Sequence, residues 1–140
     1  MLYACETWTF NATESSRLEI WERKILRKIF GGKKIDNIWT RRTNEEVKQL
    51  YRAPSITGVA RAQRLRWLGH IERIAEARSR SMIMKREIGG KRRRGRPRIR
   101  WKKDVEEDLR RIRVDGWRIK AKDRNKWRKI TNQAMSLLGF

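Results

Sequence analysis

The sequence predicts an all-α chain, a small helical domain of about four to five helices with an extended basic connector near residues 89–97. Three observations lead there. Apolar residues recur at helical spacing in four separate segments. Capping residues open these segments and Gly or Pro closes most of them. Period-two alternation appears only loosely, between Ser81 and Ile88, where a short strand or extended arm stays open.

The first helix is expected over residues 13–30, where Leu18, Trp21, Ile25 and Ile29 form a stripe that Leu26 and Phe30 widen. Asn11 and Glu14 have capping-box spacing, and Gly31-Gly32 supplies the stop. Its polar face carries Arg17, Lys24 and Lys28. A shorter helix is expected over 43–51, with Thr43 and Glu46 as a second capping box and Val47, Leu50 and Tyr51 on its apolar face. Pro54 follows it.

The third helix is expected over about 55–77, with Ser55 as N-cap and Ile56, Val59, Ala60, Leu68, Ile71 and Ile74 on one face. Arg61, Arg64 and Arg66 fall on other faces. The helical period fades over 78–90 and returns at 98–112, where Trp101, Val105, Leu109 and Ile112 share a stripe. Glu106 and Glu107 stand four residues before Arg110 and Arg111, the favourable order for side-chain pairing. Asp115-Gly116 marks a turn. The final helix starts from Asp123 as N-cap and buries Trp127, Ile130, Ala134 and Leu137 or Leu138.

Charged residues make up 39% of the 140 positions and hydrophobic residues only 38%, yet there are seven tryptophans. The core must therefore be small and aromatic. Trp21, Trp101 and Trp127 lie on apolar stripes and are expected inside, whereas Trp8, Trp39 and Trp117 sit at segment edges. Thirty-eight Lys and Arg against sixteen Asp and Glu give a net charge of +22. Such a chain binds polyanions at low salt, and nucleic acid is the expected partner. No stretch is long and apolar enough to span a bilayer, and the N-terminus lacks the pattern of a signal peptide. The expected location is the nucleus, and nothing in the sequence fixes an oligomeric state.

Catalysis is not expected. Two-metal phosphoryl transfer needs carboxylates converging on divalent ions. The acidic runs Glu45-Glu46 and Glu106-Glu107-Asp108 instead lie on helices, where neighbours diverge by about 100°, and read as surface ion-pair partners. Cys5 and His70 are the only residues of their types, so no metal site is expected. His70 reads as structural. No phosphate-binding loop or nucleophile elbow occurs, and no cofactor or small-molecule substrate is expected.

The densest signal is KRRRGRPRIRW, residues 91–101, with seven basic side chains in eleven positions and no acid. Lys91, Arg92, Arg93, Arg94, Arg96, Arg98 and Arg100 are candidate phosphate ligands, with Arg64 and Arg66 added from the third helix. The Arg94-Gly95-Arg96-Pro97-Arg98 core resembles the AT-hook. Gly95 allows close backbone approach to a groove floor, and Pro97 disfavours helix at Arg96. Arginine could then enter a narrow A·T minor groove. A phosphate clamp without groove preference is the alternative, and the residues favour the clamp.

Several motifs occur together in register: LYACETW (2–8), RLEIWERKILRKIFG (17–31), RAQRLRWLGHIERI (61–74), KRRRGRPRIRWKKDVEEDLRRI (91–112) and DRNKWRKI (123–130). They resemble the C-terminal part of endonuclease–reverse transcriptases from non-LTR (LINE-type) retrotransposons, and the resemblance covers nearly the whole chain. It implies a helical, thumb-like region over 1–88, then a basic connector and C-terminal helical pair over 89–140. It implies that Met1 falls after the polymerase palm, whose paired aspartates have no counterpart here. The expectation is a nucleic-acid-binding fragment without catalysis, from a decayed copy or partial gene. Two alternatives stay open: a host DNA-binding module with an AT-hook-like motif, and a basic protein seated on ribosomal RNA.

Overall fold

A computed structural model describes residues 2–74 and 101–137. Among these residues it is mainly helical, as the sequence predicts. A 3₁₀ turn, Cys5–Thr7, precedes α1 (Ala12–Phe30). A two-stranded hairpin, β1 (Lys33–Ile35) and β2 (Ile38–Thr40), leads to α2 (Asn44–Tyr51) and α3 (Ile56–Ile74). The described chain resumes with α4 (Trp101–Arg111), α5 (Trp117–Lys122) and α6 (Arg124–Leu137). The loosely alternating stretch at 81–88 and the connector near 89–97 lie outside the described residues.

The helix starts form as their side chains dictate. Asn11 accepts from the Glu14 amide at 2.8 Å while the Glu14 carboxylate accepts from the Asn11 amide. Thr43 and Glu46 repeat the arrangement at α2. Ser55 Oγ accepts from Gly58 N at the start of α3, and Asp123 Oδ1 accepts from the amides of Asn125 and Lys126 at α6. Each cap satisfies donors the helix leaves unpaired. At the other junction Gly116, at φ 59°, makes the turn into α5, which had no counterpart among the expected helices.

α3 is the central element. Thr57, Gly58, Ala60, Ala62, Arg64, Leu65, Leu68 and Gly69 are all buried, an arc of roughly 200° at 100° per residue. The expected face through Ile56, Val59, Ile71 and Ile74 is only half-buried; the inward arc is turned towards Leu65 and Gly69. This happens because neighbours pack on several sides. The 3₁₀ turn and Phe10 cover Ala60, while α4, α5 and α6 cover Leu65 and Leu68.

The main core joins Leu65 and Leu68 to Val105, Leu109, Ile112, Ala121, Trp127 and Ala134. The region before residue 88 and the region after it therefore share one hydrophobic core. Trp127 anchors it. Its indole lies against Gly69 and donates to Leu65 O at 2.8 Å; a Cβ on Gly69 would stand 2.1 Å from Nε1. Only glycine lets the ring lie so close to the helix backbone. Trp101, expected inside, is half-buried against this core, whereas Trp21 is 40% exposed and Ile29 is also exposed. α1 packs through Ser15, Leu18 and Leu26 against a narrow contact, so the outer part of its apolar stripe stays at the surface.

Candidate nucleic-acid interface

The cluster from Lys91 to Arg100 lies outside the described residues, and a described helix stands on either side of its segment. α3 ends at Ile74 and α4 starts at Trp101. The Trp101 indole donates to Glu6 O at 2.6 Å, fastening the downstream flank to the N-terminal turn. The upstream and downstream helices are joined to each other through a buried ionic network.

Arg64 is the centre of that network, which corrects its reading as a phosphate ligand. Its side chain is 0% exposed and donates to Trp8 O at 3.1 Å, to Asp104 at 2.5 Å and to Asp108. Its guanidinium also lies over the Phe10 ring, 5.0 Å from the centroid. Arg61 approaches Asp108 at 3.5 Å. Asp104 further accepts from Phe10 N at 2.9 Å. A cation so enclosed cannot reach a phosphate while the fold persists; its work is to hold α3, α4 and the N-terminal segment together. Asp108 likewise is no surface partner of neighbouring cations. Burial pushes its carboxyl above its ordinary value, against the pull of Arg64 and Arg61. Burial also lowers Arg61, with Asp108 opposing.

Arg66, two residues on, faces outwards, with Nη2 3.5 Å from Asn132 Oδ1. Beside it Trp67 is partly exposed and stacks on His70, ring centroids 5.2 Å apart. Arg66 thus remains available to an anion. Further exposed cations stand on α1 (Arg17, Lys24, Lys28), at the start of α4 (Lys102, Lys103) and along α6 (Arg124, Arg128, Lys129). On the surface Glu107 pairs with Arg111 at 3.9 Å, four residues on as expected, and also with Arg110, three residues on, at 3.1 Å.

Among the described residues no three His, Cys, Asp or Glu side chains gather to hold a metal ion, and no helix is long and apolar enough to cross a membrane. Cys5 is buried, and burial with the nearby Glu6 raises its thiol. That keeps it protonated and unreactive.

Two features escaped the sequence reading. Asp104 and Asp108 stand one helical turn apart beside the buried stripe of α4, a spacing that places both carboxylates towards α3. Trp39 is 73% exposed on the hairpin, whose Asp36-Asn37 turn was the available signal.

No family model and no solved structure matches the chain. It is similar to a Caenorhabditis elegans protein described as transposon-derived and uncharacterized, 25% identical over 133 residues. The match takes in 91% of this chain and 48% of that protein, so the chain spans about half the length of its curated relative.

Proposed function

We propose that this chain is a nucleic-acid-binding C-terminal segment of a non-LTR retrotransposon reverse transcriptase. It grips RNA template or DNA target through phosphate contacts and performs no catalysis itself. The observation that carries the reading is the division of charge. The buried carboxylates Asp104 and Asp108 are matched by Arg61 and Arg64 inside, and they do not offset the cations outside. These pairs cancel among themselves, so the net charge of +22 is carried by the other residues, the 91–100 cluster among them. The transposon-derived relative and the five motifs in register support the origin.

Fluorescence anisotropy on a labelled B-DNA duplex across a salt series tests it. If about five phosphates are neutralised, log affinity falls with log salt at a slope near −4 to −5. Replacing Arg92, Arg93, Arg94 and Arg96 by Ala should flatten that slope by about three to four. An unchanged slope would remove the cluster from the interface. Gly95→Ala and Pro97→Ala alter no charge. A loss confined to A·T-rich duplexes would favour the minor-groove reading over the clamp.

A further inference from the structure

The hairpin carries apolar surface in a place where folding alone gives it no use. Its turn, Asp36-Asn37, has both residues at positive φ, 48° and 67°, the two-residue geometry that matches strand twist. The register pairs Lys33 with Thr40, Lys34 with Trp39 and Ile35 with Ile38. Paired residues share a face, so Lys34 and Trp39 project from one side and Ile35 and Ile38 from the other. Trp39, Ile38 and Ile35 are 73%, 67% and 46% exposed.

An isolated two-stranded ribbon is marginal in water, yet this one is braced at its base. Lys33 pairs with Glu46, Arg27 donates to Arg42 O at 3.3 Å, and Arg27 also bonds the Asn44 side chain. Cε3 of the Trp39 indole lies 3.5 Å from where a Cβ on Gly32 would stand, so the ring rests against the ribbon's base while most of it meets solvent. Charge names the occupant. Residues 27–42 hold Arg27, Lys28, Lys33, Lys34, Arg41 and Arg42 against Asp36, with Glu46 of α2 pairing Lys33. Burial lowers Arg27, and Arg41 and Arg23 nearby add to it. An apolar protein partner would have to neutralise that ring of charge. A polyanion with flat apolar faces does so by its own chemistry.

We infer that Trp39 stacks on an unpaired nucleobase of a single-stranded nucleic acid, with Lys34 and Arg41 on the adjoining phosphates. The inference deepens the nucleic-acid reading above and rests on it. Stacking on an aromatic ring tolerates any base but needs one freed from its duplex. The hairpin would thus favour strand ends and unpaired template over intact helix.

The test uses the full chain with labelled oligo-dT, oligo-rU, an abasic strand of equal length and a duplex. Trp39→Leu keeps the apolar bulk and removes the ring; Trp39→Phe keeps a ring. Leu should weaken binding to oligo-dT and oligo-rU by roughly 5- to 150-fold, and Phe should recover most of that loss. Binding to the abasic strand and the duplex should stay within about twofold of wild type for both variants, because phosphate contacts are untouched. Circular dichroism melts confirm that the variants are folded. Equal affinity of Trp39→Leu and wild type for oligo-dT overturns the inference, as does an equal loss in Phe and Leu. Either can occur while the salt slope stands, so failure here is distinct from failure of the phosphate reading. No binding by wild type to any strand overturns both.

Discussion

Arg64→Met separates a structural cation from a binding one. The substitution keeps an unbranched apolar stem and deletes a guanidinium that donates to Trp8 O, Asp104 and Asp108. Asp104 would keep its bond from Phe10 N, but Asp108, 2% exposed, would keep only Arg61 at 3.5 Å. Removing one member of a buried pair leaves an uncompensated charge and costs about 3–5 kcal/mol. Whole-domain stabilities run about 5–15 kcal/mol, so the variant should lose roughly a fifth or more. Urea melts followed by circular dichroism measure it. The sign of the pH effect follows from Asp108, whose folded-state value already lies above its ordinary one through burial. Losing Arg64 raises it further. Such a carboxyl gives stability that is full below the unfolded value and is lost as pH rises through the folded value. The deficit of Arg64→Met relative to wild type should therefore shrink as pH falls from neutrality towards the ordinary carboxylate range. The salt slope for DNA should not change in the folded variant. A stability within about 0.5 kcal/mol of wild type, with a slope reduced by about one, would refute the argument and return Arg64 to the interface.

Two further outcomes follow from the core and from the reading of function. Gly69→Ala should destabilise by several kcal/mol despite alanine's helix preference of about 1 kcal/mol, because the methyl group meets the Trp127 indole. Trp127→Ala alone should cost about 3–5 kcal/mol, and adding Gly69→Ala to it should cost almost nothing more; additive losses in urea melts would contradict the contact. Primer extension with Mg²⁺ or Mn²⁺ on an RNA template should show no incorporation above a mock preparation, and synthesis abolished by changing a carboxylate here would overturn the non-catalytic reading.

What the sequence made legible was local. The Asn11–Glu14 and Thr43–Glu46 boxes and the Asp123 cap span three residues, so spacing alone specifies them. The α4 stripe was legible because a single inward face covers it. Trp21 was not, since periodicity says which residues share a face and not how much of that face finds a neighbour. Arg64 was misread for a related reason. Its partners lie 40 and 44 residues away, and an arginine among Leu65 and Leu68 gives no local sign that carboxylates will meet it. Within the hairpin, Asp36-Asn37 between two isoleucines was a readable turn, though without the Asn-Gly or Asp-Gly pair that marks it most strongly.

The misread arginine also explains how so basic a chain keeps a core. Like charges destabilise a compact state through self-repulsion, and the described fold sets two of its carboxylates, Asp104 and Asp108, against arginines at the contact between α3 and α4. Asp104 and Asp108 draw Arg61 and Arg64 out of the solvent and bind α3 to α4. Trp101 and Phe10 add bonds from the same side. The 26 residues between Ile74 and Trp101, which include the basic cluster, are thus tied at both ends to one core. On the described helices either side of the cluster, Arg66, Lys102 and Lys103 are exposed.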